Sequence, residues 1–192
     1  MIQAKTVATT EELQQILLLQ QQNLRGVNNA ATEQEQGFVT VTHTLEILQQ
    51  MHQLAPGIIV KDGNTLAGFA LVMLKECNEL VPELFSMYAG LNKLQYKGKP
   101  LSKYHFYVMG QVCVAAAYRG KGVFDMLYHK HKEVFQHQYD FVLTEIATRN
   151  TRSMRAHERV GFKTIAVYRD ELDEWAVVVW DFRIPSPRPR SA

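Results

Sequence analysis

Residues 112–124 read VCVAAAYRGKGVF, a run of small and β-branched residues that ends in a basic glycine turn. The start of the run is typical of a buried strand, and the segment VFDMLYHKHKEVF from Val123 has apolar residues at helical spacing. Between them, RGKG at 119–122 provides two cations and two flexible glycines. A helix start adds unpaired N–H groups and the positive end of its dipole. The strand, turn and helix together predict a binding site for a phosphate group.

The turn also has other interpretations. A basic glycine turn is often only a tight connection, and that alternative stays open on the turn alone. A nucleotide P-loop ends in Lys followed by Ser or Thr, whereas Val123 and Phe124 follow Gly122 here and offer no hydroxyl for magnesium. The dinucleotide fingerprint needs three spaced glycines early in a βαβ unit. A nucleotide-binding domain is therefore the weaker interpretation.

A second informative stretch lies roughly thirty residues downstream. FVLTEIA at 141–147 predicts a strand, NTRSMRAHERV at 150–160 a short helix, and residues 162–168 a further strand after Gly161 ends the helix. Together with the RGKG turn, this order resembles the acetyl-CoA-binding half of the GNAT superfamily of N-acetyltransferases. The resemblance covers about residues 104–168 well and the N-terminal half only by element order.

The resemblance implies acetyl-CoA as cosubstrate and assigns residues to it. The family's glycine loop is written Gln or Arg, any two residues, Gly, any residue, Gly or Ala. Arg119 and Gly122 match its first and fourth positions, whereas Phe124 departs from the last, where a small residue lets the helix approach the pyrophosphate. The pantetheine arm is expected to bind to Asn150 and to the main chain of Val112, Cys113 and Val114. The pyrophosphate is expected to bind to the backbone amides of Arg119, Gly120, Lys121, Gly122, Val123 and Phe124.

The position of the family's catalytic acid is occupied by a histidine. Seven residues after the helix-starting Asn, many members carry a Tyr that protonates the departing CoA thiolate, and this chain has His157 there. A histidine, with an ordinary pKa of about 6.5, is chemically competent for this role. The alternative is a surface or helix-packing histidine, because cations surround it in MRAHERVGF.

A base must accept a proton before the amine can attack a thioester. Some members place a carboxylate on the central strand, but this chain has no Asp or Glu between Glu83 and Asp125. Glu145 on the neighbouring strand is the best remaining carboxylate, and His105, expected on the central strand, is the alternative. Each residue also has a non-catalytic interpretation. Glu145 would be an ion-pair partner at the end of a strand, and His105 would be a half-exposed residue of the sheet. Cys113 is expected to be a packed core cysteine rather than a nucleophile.

The composition agrees with an enzyme domain. The chain has 192 residues, of which 46% are hydrophobic, and a formal charge of +2. We expect one acyltransferase domain over residues 1–184 and a disordered basic tail over 185–192. The charge is too small to favour nucleic acid or a membrane as partner, and no secretory signal or membrane span is apparent. The two cysteines have no metal or redox spacing, so we expect no metal and a reducing cytoplasm.

The remaining pattern predicts an α/β fold. The resemblance implies a mixed, mostly antiparallel central sheet flanked by helices on both faces. The predicted function is transfer of an acetyl group to a primary amine of a small-molecule or peptide acceptor. A non-catalytic acyl-CoA-binding or sensing module on the same fold is the alternative. The other predicted elements are a strand over 2–7, helices from Thr9 or Thr10 to 24 and over 44–54, a hairpin over 57–74, a central strand over 104–114 and a last strand over 175–184. Residues 95–103 are predicted to form a loop that is not assigned further. The sequence leaves the oligomeric state open.

Overall fold

The computed structural model describes residues 1–24, 26, 39 and 41–183, and within them the chain forms nine strands and five helices. The strands are β1 (Ile2–Thr6), β2 (Ile58–Asp62), β3 (Thr65–Met73), β4 (Gln95–Tyr96), β5 (Lys99–Pro100), β6 (Phe106–Val114), β7 (Phe141–Ala147), β8 (Lys163–Arg169) and β9 (Glu174–Asp181). The helices are α1 (Thr10–Gln21), α2 (Leu45–Leu54), α3 (Pro82–Leu91), α4 (Val123–Phe135) and α5 (Thr151–Val160).

Seven strands form one sheet in the order β1-β2-β3-β6-β7-β9-β8. Only β6 and β7 pair in parallel, and every other neighbouring pair is antiparallel. Strand β9 inserts between β7 and β8, so the last two strands are a hairpin whose second strand lies inside the sheet. The predicted mixed, mostly antiparallel sheet is confirmed.

Apolar side chains cover both faces of the sheet. On one face, α1 and α2 pack through Leu13, Ile16 and Leu48. On the other face, α4 and α5 pack through Leu127 and Val160. The alternation of side chains along each strand therefore separates two cores, and the predicted helices on both faces are confirmed.

The first helix begins as its sequence predicts. Thr9 is the N-cap, and its hydroxyl accepts a hydrogen bond from the amide of Glu12 at 3.3 Å. The Glu12 carboxylate in turn accepts from the amide of Ala8 at 2.9 Å and from Lys5 at 2.7 Å. The first bond satisfies an amide that a helix start otherwise leaves open, and the second ties the residue before the N-cap to the first turn of the helix.

Several predicted boundaries shift. The predicted loop over 95–103 contains the two-residue strands β4 and β5, which pair as a hairpin, followed by a 3₁₀ turn at Leu101–Lys103. The central strand starts at Phe106 rather than residue 104, because His105 bonds through its backbone to Asp140 instead of to a neighbouring strand. The tail predicted over 185–192 lies outside the described residues, as do residues 27–38.

Candidate functional site

The two parallel strands at the centre of the sheet separate along their length. They pair only at Phe106–Phe141, Tyr107–Val142 and Val108–Leu143, although β6 continues to Val114 and β7 to Ala147. At the point of separation, the Thr144 hydroxyl donates to the Met109 carbonyl at 3.0 Å. A cleft therefore opens between the carboxyl halves of β6 and β7, which is where open α/β sheets bind ligands.

A bulge in β6 lies beside this separation. Against β3, Val112 pairs with Ala70 and Met109 with Val72, so β6 has one residue more than its partner over this interval. The irregular residues are Gly110 and Gln111. A bulge bends its strand and increases the local twist, so it helps to turn the end of β6 away from β7.

The backbone of β6 presents alternate residues to the cleft. The Ala115 amide donates to Ala67 on β3 at 2.9 Å, which directs the backbone groups of Cys113 to β3 as well. The backbone groups of Val112 and Val114 therefore point the other way, toward the cleft. Of the three residues expected to hold a pantetheine arm, these two have suitably directed amides.

Cys113 has the role of a packed core residue. Its side chain is 7% exposed, and burial raises the pKa of its thiol to about 12. A thiol with this pKa is almost entirely protonated at neutral pH and is a weak nucleophile. The burial of Cys113 and the raised pKa of its thiol favour the packing interpretation.

The glycine turn closes the end of the cleft. Gly120 and Gly122 have φ angles of +75° and +77°, which glycine adopts without strain, and Gly122 is the N-cap of α4. Within the described residues, the backbone N–H groups of Gly120, Gly122, Val123 and Phe124 donate no hydrogen bond. A Cβ on either glycine would meet no atom within 4 Å, so the space beside these amides is open. Open space beside unbonded amides at a helix N-terminus fits an anionic group.

Cations surround the turn. Lys121 is exposed, with its ammonium 5.5 Å from the centre of the Tyr118 ring. Arg119 donates through Nε to the Val114 carbonyl at 3.2 Å and through a terminal nitrogen to Asn23 at 2.8 Å. Burial lowers the pKa of Arg119, and the nearby Arg152 cation lowers it further. The Arg119 side chain thus fixes the turn to the end of α1, while the site stays electropositive.

Phe124 turns its ring away from the turn and into the space between α4 and α5. The ring centres of Tyr128 and His157 lie 4.8 Å and 5.1 Å from it. The side chain that departs from the family's small residue is therefore part of an aromatic cluster, and its amide remains at the helix start.

His157 lies in the same cluster and is 2% exposed. Its Nδ1 donates to the Ser153 carbonyl at 2.8 Å, and its Nε2 accepts from the Tyr128 hydroxyl at 2.5 Å. Burial lowers the pKa of His157 to about 4, so the ring is neutral at physiological pH. Both nitrogens are engaged within the core. These contacts favour the packing interpretation, and the acid role stays a prediction.

Glu145 lies on β7 two residues beyond the last pairing with β6. It shares a face with Leu143 and Val177, the face that α1 and α2 cover. Its Oε2 accepts a hydrogen bond from the Tyr168 hydroxyl at 2.8 Å. Burial raises the pKa of Glu145, the Tyr168 hydrogen bond lowers it and the charge of Asp170 raises it, with a net increase. A carboxylate with a raised pKa beside the cleft has the properties of a general base.

The alternative base lies at the wrong end of the central strand. His105 is exposed and precedes β6 rather than forming part of it. Its separation from Val112 is roughly 20 Å along an extended chain. The cleft opens at the carboxyl end of β6, so His105 is not brought together with the other predicted residues.

Asn150 is brought to the cleft edge by the turn after β7. It is the N-cap of α5, and its Oδ1 accepts from the Ser153 amide at 3.2 Å. Within the part of the chain that is described, its Nδ2 group donates no hydrogen bond. The contact with a pantetheine arm stays a prediction.

Sequence reasoning missed four polar side chains in this region. Gln20, in a glutamine-rich helix, is fully buried and donates to Gln111 at 2.6 Å and to His43 at 2.8 Å. Gln111 donates to the Val41 carbonyl at 2.5 Å, which ties the segment before α2 to the bulge. The available signal was Gly110 and Gln111, which interrupt the apolar sequence of β6. Thr144 and Tyr168 carried no comparable signal.

A cavity of about 510 Å³ lies away from the cleft, between the last turn of α5 and the adjoining ends of β8 and β9. Its lining includes Arg155, Glu158, Lys163 and Trp180. His157 also lines it, but no residue of the glycine turn or of β6 does, so we assign the cavity no part in binding the cosubstrate. Among the described residues there is no group of three or more His, Cys, Asp or Glu arranged to hold a metal ion. None of the described helices is long and apolar enough to cross a bilayer.

Comparison with known proteins bears on the fold and on the family. The model of the acetyltransferase (GNAT) family matches residues 24–162. No curated protein sequence matches the chain significantly. The ribosomal-protein-S18-alanine N-acetyltransferase of Escherichia coli has a similar structure, with a TM-score of 0.63 at 10% identity over 100% of both chains. At such identities the likeness shows the fold.

Two further structures contain relevant ligands. The structure of YncA from Salmonella typhimurium includes its cofactor acetyl-CoA, and it matches with a TM-score of 0.60 at 12% identity over 99% of both chains. The NatC complex bound to a Gag peptide and CoA matches with a TM-score of 0.62 at 13% identity, over 94% of this chain and 98% of the other.

Proposed function

Because this chain belongs to the acetyltransferase (GNAT) family, we propose that it transfers an acetyl group from acetyl-CoA directly to a primary amine. The observation that carries the proposal is the cleft between β6 and β7, which ends at the unbonded amides of the glycine turn. Acetyl-CoA supplies the acyl group as a reactive thioester. No metal ion takes part in the proposed reaction.

The turn and the strand before it would hold the cosubstrate. The amides of Gly120, Gly122, Val123 and Phe124 suit the pyrophosphate, with Lys121 adding positive charge. The backbone groups of Val112 and the amide of Val114, together with Asn150, suit the amides of the pantetheine arm. Unpaired strand edges bind extended amide-bearing ligands in this way.

Glu145 is the proposed base. An ammonium has no lone pair, so it must give a proton to Glu145, directly or through water, before its nitrogen attacks the thioester carbonyl. The nitrogen–carbon bond forms, the nitrogen releases its second proton to solvent, the carbon–sulfur bond breaks, and the thiolate takes up a proton. His157 stays the predicted donor of that proton because of its sequence position, although its contacts favour a packing role.

The acceptor is proposed to be a small-molecule or peptide amine. A solved relative is named for acetylating an alanine of a ribosomal protein, and another was solved with a peptide. We further propose a single acyltransferase domain over residues 1–184, working in a reducing cytoplasm. Both cysteines in the described residues are free and buried, which is consistent with that compartment.

Binding of acetyl-CoA is tested with Gly122→Glu. The substitution places volume and negative charge beside the amides that would hold the pyrophosphate, so calorimetry should show a loss of affinity of at least tenfold, which corresponds to about 1.4 kcal/mol. Gly98→Glu is the matched control, because Gly98 has a φ of +75° and equally open surroundings, but lies in the β4–β5 hairpin. Equal affinities in the two variants would rule out the turn as the pyrophosphate site.

Turnover is tested by following CoA release with a panel of small amines and peptides with free N-termini. Glu145→Gln should lower turnover by about 10²–10⁴-fold while leaving acetyl-CoA affinity nearly unchanged. Tight binding of acetyl-CoA without turnover on any amine would instead support the non-catalytic binding module. Full turnover in Glu145→Gln would exclude Glu145 as the base.

A further inference from the structure

Glu145 and Tyr168 meet across an intervening strand. Glu145 lies opposite Val177 on β9, and Tyr168 of β8 lies opposite Trp175, two residues earlier on β9. Strands are spaced about 4.8 Å apart, so the two long side chains reach toward each other over β9. The Tyr168 hydroxyl donates to Glu145 Oε2 at 2.8 Å.

We propose that Tyr168 is a positioning residue for the catalytic carboxylate, fixing Oε2 of Glu145 so that Oε1 is left to accept the proton of the amine. The inference rests on the proposed function, because it gives Glu145 the role of base. A glutamate side chain has several rotatable bonds, and a hydrogen bond at one oxygen restricts its conformations. Within the described residues, Oε1 has no hydrogen bond.

The same hydrogen bond also favours the ionised form of the carboxylate. Burial and the negative charge of Asp170, in the turn after β8, both favour protonated Glu145, whereas the Tyr168 hydroxyl favours the ionised form. These are the titratable groups of the described chain that act on Glu145. Only ionised Glu145 can take a proton. Removal of the hydroxyl therefore leaves less of the active form at a given pH.

The effect has a defined sign. Loss of a hydrogen bond to the ionised form raises the pKa of a carboxyl group. In Tyr168→Phe the acidic limb of the profile of kcat/KM against pH should move to higher pH, by about 0.5–1 unit. The amine acceptor also titrates, but it is the same for parent and variant, so its contribution cancels in the comparison.

The control is Tyr96→Phe. Tyr96 also donates its hydroxyl to a carboxylate, that of Asp181, at 3.3 Å, but at the opposite end of the sheet from the cleft. The variant loses the same chemical group and should leave the profile of kcat/KM unchanged. A shift common to both variants would mean a general structural effect and would overturn the proposal.

A second measurement does not depend on turnover. The side-chain carboxyl carbon of Glu145 can be titrated by NMR in protein labelled at glutamate, with the resonance assigned by its absence in Glu145→Gln. Tyr168→Phe should raise this pKa by about 0.5–1 unit. An unchanged pKa overturns the proposal whether or not an acceptor is known.

The two proposals fail in different ways. If Glu145→Gln is inactive but Tyr168→Phe has the parent's pH profile and the parent's Glu145 pKa, the role of Tyr168 is wrong and the base stands. If Glu145→Gln keeps full turnover, both are wrong. A profile and a pKa that shift together only in Tyr168→Phe support both.

Discussion

At the scale of single residues, two buried histidines have the same pattern of contacts. His131 accepts from the Tyr107 hydroxyl at 3.2 Å and donates to the Ala70 carbonyl at 3.3 Å. His157 accepts from Tyr128 and donates to the Ser153 carbonyl. Burial lowers the pKa of His131 to about 3 and that of His157 to about 4. Each ring is a neutral bridge between a tyrosine and a carbonyl, although only His157 occupies the family's acid position.

This likeness provides a matched pair of variants. We expect His157→Ala and His131→Ala each to lower the free energy of unfolding by about 2–4 kcal/mol, because each leaves a cavity and an unpaired tyrosine hydroxyl. If His157 only packs, turnover per folded molecule should stay within a few-fold of that of His131→Ala. Steady-state kinetics below both unfolding transitions makes the comparison. A fall of about 10²–10⁴-fold in His157→Ala alone would instead establish the acid role.

At the scale of elements, the position of the glycine turn depends on how closely α4 approaches the sheet. Gly68 on β3 lies under the first turn of α4. A Cβ built there would lie 2.8 Å from the Cys113 carbonyl oxygen and 3.0 Å from a methyl group of Val123. The backbone of the central strand cannot easily yield, so the glycine permits the contact between helix and strands.

Gly68→Ala should therefore move the helix. We expect the free energy of unfolding to fall by about 1–3 kcal/mol. The affinity for acetyl-CoA should also fall, because Val123 begins the helix whose amides would hold the pyrophosphate. Gly90→Ala is the control, since Gly90 lies in α3 with no atom within 4 Å of a built Cβ, and alanine favours helix. Urea unfolding and calorimetry on both variants test this, and unchanged affinity in Gly68→Ala would contradict the coupling.

The sequence predicted elements and local motifs better than it predicted contacts between them. The turn at 119–122 and the helix after Asn150 follow local rules of capping and glycine conformation, so they could be read directly. The separation of β6 from β7 could not, because it depends on a bulge and on which strands lie beside each other. The direction of the Phe124 ring depends on packing against α5, and the Tyr168–Glu145 contact depends on β9 lying inside the sheet.

At the scale of the whole molecule, the charged and neutral forms of buried groups couple stability to pH. His131 and His157 both lie among the aromatic side chains packed under α4 and α5. On the other face, Asp181 accepts from Lys97 at 2.8 Å and from Arg183 at 2.9 Å. Although burial raises it, the hydrogen bonds from Arg183 and Lys97 hold the pKa of Asp181 well below its usual range.

Because of these histidines, we expect the free energy of unfolding to fall between pH 7 and pH 5, before carboxylates with ordinary pKa values begin to titrate. A group whose pKa is lower in the folded protein binds fewer protons there than in the unfolded chain, so stability falls as pH falls through the interval between the two values. For His157 that interval runs from 6.5 to about 4, and for His131 from 6.5 to about 3. Each should lose about 2 kcal/mol between pH 7 and pH 5, about 4 kcal/mol together. Asp181 contributes only below about pH 4, and Glu145, with its raised pKa, opposes the loss slightly.

Urea unfolding at pH 7 and pH 5 measures this difference, and His131→Phe should reduce it by about half, whatever that variant does to stability at pH 7. The readout is a difference within each protein, so a general destabilisation by the substitution cancels. A parent protein equally stable at both pH values would show that its buried histidines are not held neutral. Because one of them occupies the family's acid position, that result would also strengthen the case for His157 as a proton donor.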